Sequence, residues 1–155
     1  MTGHPVSIHA SAVLVGDRAV LIRGPSGSGK SRLVLDLILA AAAGQIPEAM
    51  LVGDDRVYLE AADGLIRVRP VPELVGLLEI RGLGIRRVDC ATAATIGLVV
   101  DLDAADAARL PEPAALRAHL LGVALPRIPV GVGFQPLPLV AAYLTTTDGI
   151  LPQPP

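Results

Sequence analysis

The segment that most restricts how this chain can fold is Gly24-Pro25-Ser26-Gly27-Ser28-Gly29-Lys30-Ser31, because it separates two runs of different periodicity. Before it, Ala12–Val15 and Ala19–Arg23 are short β-type runs split by Gly16-Asp17, a favourable hairpin pair. After it, from Lys30 to Ala43, Leu, Ala and Ile recur at helical spacing, and Gly44 follows as a helix stop. The order is strand, glycine-rich loop, helix. The eight residues match G-x-x-x-x-G-K-[S/T] in full. Glycines permit backbone angles that let several N–H groups converge on one anion. The helix that follows adds the partial positive charge of its N-terminus. Lys30 is placed to reach β- and γ-phosphates, and the Ser31 hydroxyl to reach a Mg²⁺ that bridges them. A glycine-rich turn can fit such a pattern by chance, but the strand before and the helix after favour a site for the phosphates of a nucleoside triphosphate.

Composition narrows the surroundings. The chain has 155 residues, a length suited to one domain, and 52% are hydrophobic, enough for a sizeable core. Only Phe134, Tyr58 and Tyr143 are aromatic, so the core is expected to consist of Leu, Val, Ile and Ala. A net charge of -2 and the scarcity of aromatic faces argue against a nucleic-acid partner. Cys90 is the single cysteine, which rules out an internal disulfide and fits a reducing cytoplasm. The first fifteen residues lack the pattern of a signal peptide. The longest apolar stretch, Leu33–Ala43, contains Asp36 and falls short of the roughly 20 residues that span a bilayer. A soluble cytoplasmic protein is expected, covering residues 1–147 as one α/β domain with a loose tail at 148–155.

Further along, Ala49–Val52 reads as a buried strand ending at Gly53-Asp54-Asp55. Arg56–Glu60 and Leu65–Arg69 flank a hairpin signal, Ala61-Ala62-Asp63-Gly64. Val71–Leu78 suits a short helix or irregular turn, and Glu79–Gly84 a glycine-bearing loop or strand end. Thr95–Leu102 and Val123–Val130 read as strands, Pro111–Leu121 as an exposed helix with proline in its first turn, and Leu139–Leu144 as a short helix.

Two further clusters bear on chemistry. In a parallel sheet the end of the strand before Asp54-Asp55 lies near the phosphate crevice. One carboxylate can then hold Mg²⁺ and the other can accept a proton from an attacking hydroxyl. Gly-Asp-Asp-Arg is also ordinary turn chemistry, and only the preceding loop and strand tip the balance. Glu79 and Arg81 suit a metal and a phosphate respectively, and equally a surface ion pair. His9 lies just ahead of the first β-type run. Arg32, directly after Ser31, suits a solvated helix charge or a phosphate-facing one, with the solvated reading favoured.

Taken together, His9, the Gly-Lys-Ser loop, Leu51-Val52-Gly53-Asp54-Asp55-Arg56-Val57 and Leu78-Glu79-Ile80-Arg81-Gly82-Leu83-Gly84-Ile85 resemble, in that order, the catalytic domain of HPr kinase/phosphorylase. The last stretch is the most specific, and the likeness runs from about His9 to Val88. It implies transfer of phosphate from ATP to a serine of HPr, a small carrier protein of the phosphotransferase system. It implies a P-loop α/β fold, a mixed sheet with flanking helices, related to phosphoenolpyruvate carboxykinase-type kinases and often assembled as a hexamer. Asp55 falls on the family's general base, Asp54 on its acidic neighbour, Lys30 and His9 on active-site positions, and Ser31 and Glu79 on magnesium positions.

The chain departs from the family pattern in three places. It starts at the catalytic domain, like the short alphaproteobacterial forms. Arg32 stands where the family usually has Glu. Gly131-Val132-Gly133-Phe134-Gln135-Pro136 replaces a Gly-Arg-Asn segment that carries an active-site arginine. The expectation is therefore a kinase first, with the reverse phosphorylase reaction and the hexamer on weaker footing. Two other readings stay open on the residues alone: a kinase of a different acceptor, and a nucleotide-sensing module without catalysis.

Overall fold

A nine-residue apolar strand runs through the middle of the protein in the computed structural model, which describes residues 4–149. In chain order the elements are β1 (Val6–Ile8), β2 (Ser11–Val15), β3 (Arg18–Arg23), α1 (Lys30–Ala42), β4 (Ala49–Gly53), β5 (Val57–Ala62) and β6 (Leu65–Pro70). A 3₁₀ turn, Pro72–Leu74, leads to β7 (Leu77–Ile80) and β8 (Gly84–Arg87). Then come β9 (Ala94–Leu102), a 3₁₀ turn at Pro113–Leu116, β10 (Arg117–Leu120), β11 (Val123–Val130) and α2 (Pro136–Thr145). The main sheet has the order β1-β5-β6-β9-β3-β2-β4, with β11 also on β9 and β10 on β11. β7 and β8 form a separate hairpin. The β9 pairs with β3 and β11 are parallel and all other pairs are antiparallel, so the fold is mixed α/β.

Alternation along the strands builds two cores. Val13, Val20, Ile22, Val100 and Leu102 face α1, whose Leu33, Val34 and Leu37 are fully buried at helical spacing. Ala12, Ala19, Leu21 and Val99 face the other way, onto Val57, Leu59, Ile66 and Val68 of β5 and β6. Within β9 the alternation slips once: Ala19 pairs with Ile96 but Val20 with Leu98, leaving Gly97 as an extra residue. A Cβ on Gly97 would stand 2.8 Å from the Arg18 Cβ, so a bulge here requires glycine.

The structure revises several expectations. The sheet geometry that brings Asp54-Asp55 to the glycine-rich loop is not a parallel pairing. β4 pairs antiparallel with β2, and β2 pairs antiparallel with β3. Two reversals restore the direction, so β4 ends at the same edge as β3. The expected helix at Pro111–Leu121 is instead a 3₁₀ turn followed by β10, which pairs with β11 through Leu121-Gly122 at φ 48 and 80. Two consecutive positive φ angles make the tight turn of a two-residue hairpin, and its ladder outweighs the helical preference of Ala and Leu. β1 was not expected: it pairs with β5 as an edge strand of three residues. Val71–Leu78, expected as a short helix or irregular turn, holds the 3₁₀ turn Pro72–Leu74 and then enters strand at Leu77, earlier than the strand end expected from Glu79. Helix α2 starts earlier than expected, with Pro136 in its first turn. Asp148 and Gly149 are exposed and outside regular structure, and the remainder of the expected tail lies outside the described residues. Among the described residues no helix is long and apolar enough to cross a membrane.

The strand ends at this edge are held by charge. Asp101 on β9 takes the Arg23 guanidinium from β3 in a two-point fork, at 2.7 and 2.8 Å. Its second oxygen also accepts from Arg127 Nε on β11 at 2.5 Å. Arg127 is held in turn by Asp106 at 2.8 and 3.1 Å and by the Ala115 carbonyl. Burial alone would raise the Asp101 pKa, but the hydrogen bonds and charges of Arg23 and Arg127 outweigh it and hold the carboxyl below its ordinary range. A carboxylate with a depressed folded pKa contributes stability that is complete above the unfolded value of about 3.9 and is lost as pH falls through the folded value. Thermal unfolding followed by circular dichroism from pH 7 down to pH 3 should therefore show a steeper loss of Tm below about pH 5 in the wild type than in Asp101→Asn. Equal slopes would remove Asp101 from the acid sensitivity.

Candidate active site

The glycine-rich loop leaves β3 at Gly24 and enters α1 at Lys30, with Gly27 at φ 81 and Gly29 at φ 102. These are left-handed angles that suit glycine. The loop is closed by the Ser28 N–H donating to the Pro25 carbonyl at 3.0 Å. Ser28 Oγ is buried without a hydrogen-bond partner and sits 2.5 Å from where a Cβ on Gly24 would stand. Gly24 is thus required by the close approach of the loop's own side chain. Lys30, the sole lysine of the chain, is buried, and its Nζ donates to the carbonyls of Gly24 at 2.9 Å and Pro25 at 3.1 Å. The ammonium is therefore held inside the loop.

Asp54, just past the end of β4, is 5% exposed, and burying a carboxylate is costly unless donors surround it. Ser31 Oγ lies 2.7 and 2.9 Å from its two oxygens, Ser11 Oγ donates to Oδ1 at 2.8 Å, and the Glu79 N–H donates to Oδ2 at 3.2 Å. The start of α1, the start of β2 and strand β7 are thereby pinned to the end of β4. Asp55 is different. It adopts φ 68, an unusual angle for a residue with a side chain, and its carboxylate is largely exposed. Its N–H donates to Ser11 Oγ at 3.1 Å, and its Oδ1 receives His9 Nε2 at 2.7 Å. An ionised carboxylate only accepts, so the imidazole donates through Nε2–H.

These groups border one cleft of about 460 Å³. Of the residues singled out from the sequence, His9, Ser26, Gly27, Gly29, Lys30, Ser31, Arg32, Asp55, Glu79 and Arg81 line it. Asp54 lies behind Ser31, and Gly24, Pro25 and Ser28 shape the loop from beneath. Arg81, in the turn between β7 and β8, reaches over the loop, its Nη2 3.6 Å from where a Gly27 Cβ would project. Arg32 is exposed and pairs with Asp36 at 3.1 Å across one helical turn, and it also borders the cleft. The substituted segment Gly131–Pro136 links β11 to α2 with Val132 and Phe134 exposed, outside the cleft lining. Among the described residues no three His, Cys, Asp or Glu side chains converge as a metal cluster. Mg²⁺ commonly takes one or two protein ligands and completes its shell with phosphates and water, which the Ser31–Asp54 oxygen pair suits.

The sequence reading missed Ser11. It is fully buried and both accepts and donates, so it fixes the two aspartates relative to each other. The signal was present as a polar residue at an inward position of an otherwise apolar strand. The β2–β4 register also shifts between Ala12 and Val13, beside this contact.

The fold and cleft define a mixed α/β protein with a lysine-bearing glycine loop and a carboxylate pair gathered at one edge of its sheet. The family model described as HPr Serine kinase C-terminal domain matches residues 3–133, and the chain belongs to that family. It is 42% identical over 77 residues to the HPr kinase/phosphorylase of Mycoplasma mycoides, covering 50% of this chain and 22% of that protein. It is 33% identical over 137 residues to that of Geobacillus thermodenitrificans, covering 81% of this chain and 42% of the other. The chain thus spans less than half the length of these curated relatives. The solved HPr(Ser) kinase/phosphatase of Coxiella burnetii superposes with a TM-score of 0.69 at 25% identity, over 90% of this chain and 93% of that one.

The Ser11 contacts yield a direct test. Ser11→Ala leaves the Asp55 N–H without its buried partner and Asp54 short of one donor, which should lower unfolding stability by about 1–3 kcal/mol in urea titrations. A loss well below that range would show that the two aspartates are held without it.

Proposed function

We propose that this chain is the catalytic domain, residues 1–147, of an ATP-dependent, Mg²⁺-assisted kinase that phosphorylates a serine of HPr and so regulates the phosphotransferase system in the cytoplasm. One observation carries the reading: the His9–Asp55 pair opens onto the same cleft as the Lys30-bearing loop. That arrangement supplies both a proton acceptor and an anion grip. Family membership supports HPr as the acceptor.

The amides of the loop and the ammonium of Lys30 would bind the β- and γ-phosphates of ATP, with Lys30 exchanging the carbonyls of Gly24 and Pro25 for phosphate oxygens. When bound, Mg²⁺ supplies positive charge between the phosphates, and Ser31, Asp54 and Glu79 are the residues that would hold it. Since the Asp54 oxygens are engaged by Ser11, Ser31 and the Glu79 N–H, Asp54 would serve the ion through Ser31 or through water. Asp55 takes the proton of the acceptor hydroxyl as the serine oxygen bonds to the γ-phosphorus. The bond from that phosphorus to the bridging oxygen breaks, and ADP leaves. The hydrogen bond from His9 orients the Asp55 carboxylate for this role. Arg81 stands over the loop where charge on the transferred group develops. Forward transfer is the proposed reaction, since Gly131–Pro136 brings no arginine for the reverse one.

Incubation with labelled ATP and purified HPr, with and without inorganic phosphate, should label a serine of HPr. Asp55→Asn should lower that transfer by roughly 10²- to 10⁴-fold, the contribution of a positioned general base, with ATP affinity retained. Undiminished transfer would remove Asp55 as base, and transfer to other acceptors in preference to HPr would replace the substrate. ATP should also protect Lys30 from acylation, which mass spectrometry reads without ambiguity because the chain has no other lysine.

A further inference from the structure

The Arg23–Asp101–Arg127 cluster lies outside the cleft, on the sheet face away from α1, and the transfer reaction does not use it. Its place in the chain is informative. Arg23 is the last residue of β3, and Gly24, the next, begins the glycine-rich loop. Asp101 forks onto Arg23, while its neighbour Leu102 lies under Gly24, with its Cβ 3.0 Å from where a Gly24 Cβ would stand. Two successive residues of β9 therefore fix two successive residues at the loop's entry. The Gly24 carbonyl in turn accepts the Lys30 ammonium. On its other side Asp101 is tied to Arg127, and Leu102 is the parallel partner of Val130 at the end of β11.

We infer that Asp101 is a positioning residue for the glycine-rich loop: by holding Arg23 from β9 and β11, it sets the point from which the loop departs and thereby the place of Lys30. A two-point fork fixes orientation as well as distance, which a single hydrogen bond does not. This rests on the reading of the loop as a phosphate site, but only for its consequence on ATP binding.

The test has two readouts on the full chain. First, Asp101→Asn and Arg23→Gln should each weaken ATP binding by about 5- to 10-fold, the factor for one misplaced hydrogen bond, measured by calorimetry. The double variant should bind no worse than the weaker single one, since both break one connection. Ile66→Val, in the core on the face away from α1 and touching neither Arg23 nor Asp101, should lower Tm without changing affinity. Second, acylation of Lys30 in the absence of nucleotide should be faster in Asp101→Asn and Arg23→Gln than in the wild type or Ile66→Val. Unchanged acylation, or losses of ATP affinity that add in the double variant, would overturn the inference. If the wild type binds no ATP while acylation still responds as expected, the nucleotide reading fails and the positioning role stands.

Discussion

A carboxylate taken out of water must be surrounded by donors, and the arrangement of this protein's cleft follows from how Asp54 meets that demand. Its donors come from three separate parts of the chain: the Ser11 hydroxyl at the start of β2, the Ser31 hydroxyl in the first turn of α1, and the Glu79 amide on β7. None of these segments is joined to β4 by a short connection at this edge. The buried charge forces them to one place, because an unpaired carboxylate at this depth would cost more than the contacts restrain. Asp55 is placed by the same event. With Asp54 facing inward and the Asp55 N–H held by Ser11, the backbone takes a left-handed angle and the second carboxylate emerges into the cleft toward His9. Two adjacent residues of one type thus receive opposite environments, one saturated and buried, the other exposed and facing the cleft.

The sheet supplies the frame for that corner through strand direction. β3, β9 and β11 run parallel, and β4 runs with them because two antiparallel pairings separate it from β3. Four strand ends therefore meet at one edge. Arginine and aspartate secure the face away from α1, and the serine and aspartate contacts secure the other. The β7–β8 hairpin stands apart from this frame. It contributes Glu79 and Arg81 to the cleft while Leu83 and Ile85 remain exposed at its far end. The cleft thus has one wall on the main sheet and α1, and another on an element that pairs with no strand of that sheet.

How much was legible varied with the range of the forces. The loop and its flanking strand and helix were readable because periodicity and glycine spacing are local, and α1 runs from Lys30 as the spacing required. The hairpin at Asp63-Gly64 was readable for the same reason. The segment around Pro111–Leu121 was not. Its Ala and Leu content favours helix in isolation, and only the partner strand β11 and the Leu121-Gly122 turn make it extended. β1 is too short to show a period, and its existence depends on β5. The Glu79–Arg81 stretch was poised between ion pair and site, and its partners were decided by the hairpin rather than by spacing.

The sequence by itself determined the glycine-rich loop, the order of strand and helix around it, the Asp54-Asp55 pair, and a core made of aliphatic side chains. These depend on residues within a few positions of each other, where backbone angles and side-chain periodicity act directly. Only the tertiary structure decided which aspartate is buried, that Ser11 holds them both, that His9 meets Asp55, and that Arg23 is anchored by Asp101 on another strand. Each of these pairs is separated by more than forty residues along the chain. Their meeting depends on strand direction, register and the cost of leaving a buried charge unpaired, and those are properties of the assembled sheet.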